Sequence, residues 1–188
     1  RYTENSLYLY LKYKYFNKEE IPFVDKLEVS LQGPGKVKIR VYEKSVVGYV
    51  TYMGANFYFD KDGVVVESST DVKEDIPCIS GVRFSSLAMY HKLAVENDKI
   101  FGRILNITQL LKKYELSPDK IEFGKDLALT LYFGNVKVAL GSNDDLEDKI
   151  GRLHDIYSDL ESLSGTLHME NYTLDSKFIS FEKADSTE

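Results

Sequence analysis

The residues of this chain that could do covalent or metal chemistry are few and far apart in the sequence. Cys78 and His91 are the pair that could form a thiol–imidazole couple, the arrangement that activates a cysteine nucleophile. Nothing in the sequence brings them together, and a lone cysteine is more often a small buried apolar side chain. The three histidines, His91, His154 and His168, lack the spacing of metal ligands. These residues therefore predict neither a catalytic site nor a metal site.

Two further motifs resemble ligand-binding loops only in part. Asp60-Lys61-Asp62-Gly63 looks like the start of a calcium loop, but no series of oxygen ligands follows it and no glutamate closes it. An Asp-Gly pair between alternating apolar runs instead predicts a β-hairpin. Gly33-Pro34-Gly35 is too short to cradle a phosphate, and its proline lacks an N–H. We therefore expect no cofactor and no enzymatic activity.

The composition is that of an ordinary globular protein. Of the 188 residues, 43% are hydrophobic and 29% are charged, and the formal net charge is −6. This charge argues against nucleic-acid binding, which relies on clustered Lys and Arg to neutralise phosphates. The single cysteine excludes an internal disulfide, and no apolar run is long enough to cross a bilayer. Fourteen tyrosines, together with many Val and Ile residues, favour a β-sheet.

The strongest pattern in the chain lies between residues 126 and 163. Apolar side chains alternate over 127–133 and again over 136–140, on either side of Gly134-Asn135, whose residues both tolerate positive φ. Over 146–163 the apolar residues recur at helical spacing instead. The pattern predicts a tight hairpin followed by a long amphipathic helix that lies across a sheet.

The other segments predict a mixture of helices and strands around this unit. Residues 68–75 are polar without a periodic apolar face, and composition alone predicts a linker there. The predicted helices are 3–15, 87–95 and 101–114, and the predicted strands include 24–31, 37–41, 46–52, 57–59, 64–66, 166–172 and 177–181.

The last predicted strand, residues 177–181, has apolar side chains on both of its alternating faces. No later strand is predicted to pair with it. It could end the sheet as an edge strand, whose unpaired N–H and C=O groups accept a strand from another chain. It could equally be an internal strand that is covered on both faces. The pattern leaves both interpretations open.

Five segments are informative when they are taken in order. They are 38–47 (KIRVYEKSVV), 59–65 (FDKDGVV), 76–81 (IPCISG), 129–141 together with Lys149, and 165–170 (GTLHME). In this order they resemble the extracytoplasmic part of the bacterial division protein FtsQ, called DivIB in Gram-positive bacteria. The third segment is similar to the family's Leu-Pro-x-x-x-Gly. His168 departs from the family, which usually carries Asp at the matching position.

The resemblance implies an α+β fold with two parts. Residues 1–44 would be the C-terminal part of a POTRA domain, and residues 45–182 a β domain whose mainly antiparallel sheet is packed by the long helix. Residues 68–75 would then be a loop within the β domain rather than a linker, and residues 183–188 a mobile polar tail. The resemblance also implies a single membrane-spanning anchor upstream of Arg1, which places this part on the extracytoplasmic side of the plasma membrane at the division septum.

The function that the resemblance implies is a non-enzymatic scaffold of the division machinery. Such a protein joins FtsB (DivIC) and FtsL, helps to control septal peptidoglycan synthesis, and contacts the membrane only through its anchor. Two alternatives stay open, a POTRA-like chaperone or export module that binds extended peptides, and a cell-wall enzyme. The family pairs its last strands with FtsB, and the matching residues here are Tyr172, Lys177, Phe178, Ile179, Ser180 and Phe181.

Overall fold

The computed structural model describes residues 24–33, 36–43, 45–97, 99–142 and 145–184. The chain divides into two compact units, Arg1–Ser45 and Val46–Glu188. The described part of the first unit is an antiparallel hairpin of β1 (Val24–Gly33) and β2 (Lys36–Glu43). Both strands follow from the alternation of apolar and polar residues. The helix that the sequence predicts over residues 3–15 lies outside the described residues.

The second unit is built on one large mixed sheet. In chain order its described strands are β3 (Val46–Tyr52), β4 (Ala55–Asp60), β5 (Val65–Ser69), β6 (Cys78–Ser80), β7 (Phe84–Ser86), β8 (Ala94–Val95), β9 (Lys120–Phe123), β10 (Leu129–Phe133), β11 (Val136–Gly141), β12 (Gly165–His168) and β13 (Ser180–Lys183). Among these, nine strands form the sheet in the order β13-β12-β11-β10-β9-β6-β3-β4-β5, while β7 and β8 pair separately. Three neighbouring pairs are parallel, namely β11–β12, β3–β6 and β6–β9.

Two α-helices accompany the sheet in the part of the chain that the structure describes, α1 (Lys99–Lys113) and α2 (Leu146–Leu160). The stripe of α2 is buried as its spacing predicts, at Leu146, Ile150 and Leu153. The hairpin β10–β11 supplies the facing apolar side chains, among them Leu131 and Val138, which are also buried. The predicted hairpin and long helix are confirmed, and the fold is α+β.

The predicted helix over residues 87–95 is wrong. The backbone of this segment is bound by the neighbouring hairpin, because the N–H of Tyr90 donates to the carbonyl of Val65 (2.7 Å) and the N–H of Leu93 donates to that of Gly63 (2.8 Å). Tyr90 has a φ of 64°, which no right-handed helix accommodates. These long-range hydrogen bonds override a weak local preference for helix.

The predicted linker at residues 68–75 does not separate two units. Its first two residues complete β5, and its middle is held by Tyr58. The Tyr58 hydroxyl donates to the carbonyl of Asp71 (2.8 Å) and accepts from the N–H of Lys73 (3.1 Å). The segment is therefore a loop of the second unit, which agrees with the resemblance and corrects the interpretation from composition.

The segment that resembles Leu-Pro-x-x-x-Gly ends in a glycine that packing requires. Gly81 has a φ of 76°, and a Cβ built there would stand 1.9 Å from the carbonyl oxygen of Phe123. The close approach follows from the parallel pairing of β6 with β9, which brings the ends of the two strands together. Only glycine fits this position.

Candidate partner-binding edge

The strand β13 lies at one end of the large sheet and pairs with β12 alone among the described strands. The N–H of Ala184 donates to the carbonyl of Ser164 (2.9 Å), and this bond shows which residues of β13 direct their backbone groups toward β12. Hydrogen-bonded and non-bonded pairs alternate in an antiparallel ladder, so the backbone groups of Glu182 face β12. Those of Phe181 and Lys183 face outward. The outer side of β13 thus presents the donors and acceptors that a further strand needs.

The side chains of β13 separate into one that holds the strand and three that face solvent. Phe181 lies opposite Leu167 of β12 and packs against the hydrophobic core. Ser180, Glu182 and Lys183 are exposed. Phe181 therefore attaches the edge strand to the domain, and the backbone rather than an apolar outer face is what the strand offers to a partner.

The connection from β12 to β13 is held by contacts at its start and in its middle. Met169 is fully buried, and its N–H donates to the carbonyl of Ala139 (2.8 Å). Thr173 and Ser176 close a tight turn through the Ser176 N–H to the Thr173 carbonyl (2.9 Å) and the Thr173 N–H to the Ser176 hydroxyl (3.0 Å). Beyond this turn the side chain of Phe178 is 90% exposed. This exposed aromatic ring, close in sequence to the open strand edge, is available for contact with a partner.

A cavity of about 340 Å³ lies between this connection and α2. The connection contributes Tyr172, Ser176, Lys177, Phe178 and Ile179, and α2 contributes Arg152, Ile156, Asp159 and Leu160. Among its lining residues Leu160 and Leu167 are buried, while Arg152 and Asp159, of opposite charge, are exposed. A space of this size is large enough to receive one or two apolar side chains of a partner.

The buried Lys149 ties α2 to β11 and to the start of the connection that follows β12. Its Nζ donates to the carbonyl of Leu140 on β11 (2.6 Å) and to the carbonyl of Glu170 after β12 (2.9 Å). Its side chain is fully buried, and desolvation lowers the pKa of Lys149 below its ordinary value. The resemblance drew attention to this lysine, and the structure gives it a structural role near the edge.

The six predicted contact residues are neighbours in the structure. Tyr172, Lys177, Phe178 and Ile179 line the cavity, while Ser180 and Phe181 begin β13. The predicted bounds of the last strand, residues 177–181, were wrong. The strand starts at Ser180 and extends to Lys183, which is the first residue of the predicted tail. The predicted strand 166–172 is likewise shorter, and β12 ends at His168. The four residues of β12 pair with residues 180–183, so the residues before Ser180 have no strand residue opposite them with which to pair.

The sequence analysis did not assign the charged residues of this region to the candidate site. Glu182 and Lys183 follow the last apolar position, and a polar ending was interpreted as a tail. An edge strand needs apolar residues only where it touches the core, so its outer half has the composition of a loop. Arg152 and Asp159 lay on the polar face of α2, where charge is expected on any surface helix.

Cys78 and His91, the pair considered for a thiol–imidazole couple, lie far apart. Cys78 lies on β6, and the carbonyl of His91 accepts from the N–H of Val65 on β5, three strands away. At about 4.8 Å per strand, the two backbones are roughly 15–20 Å apart. Asp60 Oδ1 accepts the N–H groups of Asp62 and Val64 (both 2.9 Å), as the hairpin interpretation predicts. Within the described ranges, no cluster of three His, Cys, Asp or Glu side chains could hold a metal ion.

Neither of the two described α-helices is long and apolar enough to span a bilayer.

Comparison with known proteins points to bacterial cell division. No protein-family model matches the chain. The Cell division protein DivIB of Clostridium acetobutylicum is 26% identical over 152 residues, which are 78% of this chain and 59% of that protein. The Cell division protein DivIB of Clostridium botulinum is 22% identical over 133 residues, 69% of this chain and 52% of that protein. The chain thus spans between about half and three-fifths of the length of these curated relatives.

Proposed function

From the premise that this chain is a cell division protein of the DivIB/FtsQ type, we propose that it is a non-enzymatic scaffold of the division machinery. Its partners are the division proteins FtsB (DivIC) and FtsL, and its place is the extracytoplasmic side of the plasma membrane at the septum, below an upstream anchor. In this proposal, residues 1–44 are the C-terminal part of a POTRA domain and residues 45–182 are the β domain.

The observation that carries the proposal is the open outer edge of β13. Its backbone N–H and C=O groups at Phe181 and Lys183 lie on the side away from β12. A strand of DivIC that adds to this edge would gain main-chain hydrogen bonds there, and these would set its register. The partner's bound strand would extend the sheet of nine described strands by one.

The apolar anchor of the complex is Phe178 rather than Phe181. Phe181 is partly buried against the core, so it offers less apolar surface to a partner than Phe178 does. Phe178 is 90% exposed and lies at the mouth of the cavity beside α2. Binding energy in such interfaces concentrates in a few aromatic or Arg residues, and Phe178 supplies one next to the strand edge.

The test is a calorimetric titration of this chain with the extracytoplasmic part of its cognate DivIC. The variant Lys183→Pro removes one outward N–H, and Lys183→Ala is its matched control for the loss of charge. We expect Lys183→Pro to bind at least about tenfold more weakly than Lys183→Ala, because a main-chain hydrogen bond is lost and the proline ring opposes the incoming strand. Both variants should unfold like the wild type, since prolines are tolerated at sheet edges.

The outcomes distinguish the proposal from its alternatives. Equal binding by the two variants would overturn pairing at this edge. No binding of DivIC, together with binding of unrelated extended peptides, would support a chaperone or export module instead. The absence of both would reject a strand-binding role for β13.

A further inference from the structure

His168 stands on β12 between two carboxylates that belong to different segments. Its Nδ1 lies 3.2 Å from Oε1 of Glu170, and its Nε2 lies 3.3 Å from Oε2 of Glu182 on β13. Glu182 is on the outermost strand of the sheet, so the second contact crosses the ladder that attaches this strand to the domain. His168, Glu170 and Glu182 are called the histidine clasp below.

The protonation state that fits the histidine clasp follows from the hydrogen-bond inventory. A carboxylate only accepts hydrogen bonds, and a neutral imidazole has one N–H and one lone pair. With a neutral ring, one of the two carboxylates would face a lone pair and the contact would be repulsive. The imidazolium ion donates from both nitrogens, so it alone satisfies Glu170 and Glu182 together.

We propose that the histidine clasp is a proton-dependent fastening of the edge strand, which holds β13 to β12 when His168 is charged and loosens when it is neutral, because a neutral ring can donate to only one of the two carboxylates. The inference concerns the folded chain by itself and needs no partner. It adds to the proposed function a means by which pH sets the order of the edge that a partner strand would join.

The remaining charges on this face are few within the described residues. Ala139 of β11 and Ser180 of β13 lie directly opposite His168 and carry no charge. Lys137 of β11 lies two residues along on the same face, with its Nζ 5.8 Å from the centre of the Tyr132 ring. The charges that act on His168 are those of the two glutamates, whose oxygens lie 3.2 and 3.3 Å from its ring nitrogens and favour the charged form.

The pH dependence has a definite direction. The hydrogen bond to Glu170, followed by the one to Glu182, raises the pKa of His168 above its ordinary value of 6.5, and partial burial opposes the rise. A raised pKa in the folded state means that the stabilisation is fully present below about 6.5. It is lost as the pH rises through the higher pKa of the folded protein. The edge strand is therefore best ordered in mildly acidic solution.

The first experiment follows the ring nitrogens of His168 by NMR during a pH titration of the partner-free chain. We expect His168 to titrate above 6.5 in the wild type, and its pKa to fall in both Glu182→Gln and Glu170→Gln. A pKa that responds to Glu170→Gln but not to Glu182→Gln would overturn the clasp, because the contact across the ladder would then be absent.

The second experiment measures amide hydrogen exchange at Glu182 and Ala184, whose N–H groups face β12. After correction for intrinsic rates, we expect about two- to fivefold greater protection at pH 5.5 than at pH 8 in the wild type, the range of an exposed ion pair. His168→Asn should remove this difference, and Glu182→Gln should do the same without altering β12. A pH-dependent ratio that persists in His168→Asn would overturn the proposal.

Discussion

The large sheet ends in β5 on one side and in β13 on the other, and the two strands differ in what covers their outer backbone groups. At β5, the N–H of Val65 donates to the carbonyl of His91 (3.0 Å), and its carbonyl accepts from the N–H of Tyr90 (2.7 Å). At β13, the corresponding groups of Phe181 and Lys183 face outward, and no described strand pairs with them. The β5 edge is covered by the chain itself at its first residue, whereas the outer groups of β13 face no described strand.

The difference explains why the segment over residues 87–95 forms strands and turns rather than a helix. A covered edge cannot recruit another chain, and covering is one of the ways in which natural sheets avoid aggregation. The open edge is limited by other means, since β13 has four residues and carries Glu182 and Lys183. In the proposed complex, the exposed Phe178 would add side-chain contacts to the main-chain hydrogen bonds of this short, charged edge.

The largest expected effect is the difference in stability between two proline substitutions, one on each edge strand. Val65→Pro removes a hydrogen bond at a fully buried position and leaves the carbonyl of His91 without its donor. We expect the free energy of unfolding to fall by at least about 2 kcal/mol. Lys183→Pro should change it by less than about 0.5 kcal/mol, because the N–H that it removes faces outward.

Chemical denaturation of the two proline variants checks this contrast. Equal losses of stability would mean that the β13 edge is covered as the β5 edge is, and would contradict the comparison.

A smaller effect is expected from the aromatic ring beside the open edge. Phe178→Ala should weaken DivIC binding by about fivefold or more, as is common for a central aromatic residue of an interface. It should leave the unfolding transition unchanged because the ring is 90% exposed. Leu174→Ala is the matched control, since Leu174 is 73% exposed in the same connection but does not line the cavity. Equal binding by Phe178→Ala and Leu174→Ala, measured by calorimetry, would reject Phe178 as the anchor.

The smallest effect is expected at the charged rim of the covered edge. Glu67 on β5 pairs with Lys73 at 2.5 Å, and both side chains are about two-fifths exposed. Exposed ion pairs contribute little because solvent and salt screen them. Glu67→Gln should therefore shift the free energy of unfolding by less than about 0.5 kcal/mol in a denaturant titration. A larger loss would show that the cover of β5 depends on charge as well as on the backbone hydrogen bonds of Tyr90 and His91.

The sequence predicted which segment forms the candidate site, but not its place in the sheet or the residue at which its strand begins. The sequence identified the last apolar segment and left open whether it lies at an edge or inside the sheet. The strand order decides this, because β13 has one neighbour among the described strands. The start of the strand at Ser180 was not predictable, since it depends on where β12 ends at His168, in a different segment of the chain.

The sequence by itself determined the elements whose signals are local. The hairpin β10–β11 and the helix α2 follow from alternation, a Gly-Asn turn and helical spacing within some forty residues, and all three are present. Only the tertiary structure decided the parallel pairing of β11 with β12, the cover over β5 and the meeting of His168 with Glu182. Each of these joins groups that are distant in sequence, and their geometry depends on how the whole sheet closes around its core rather than on any local pattern.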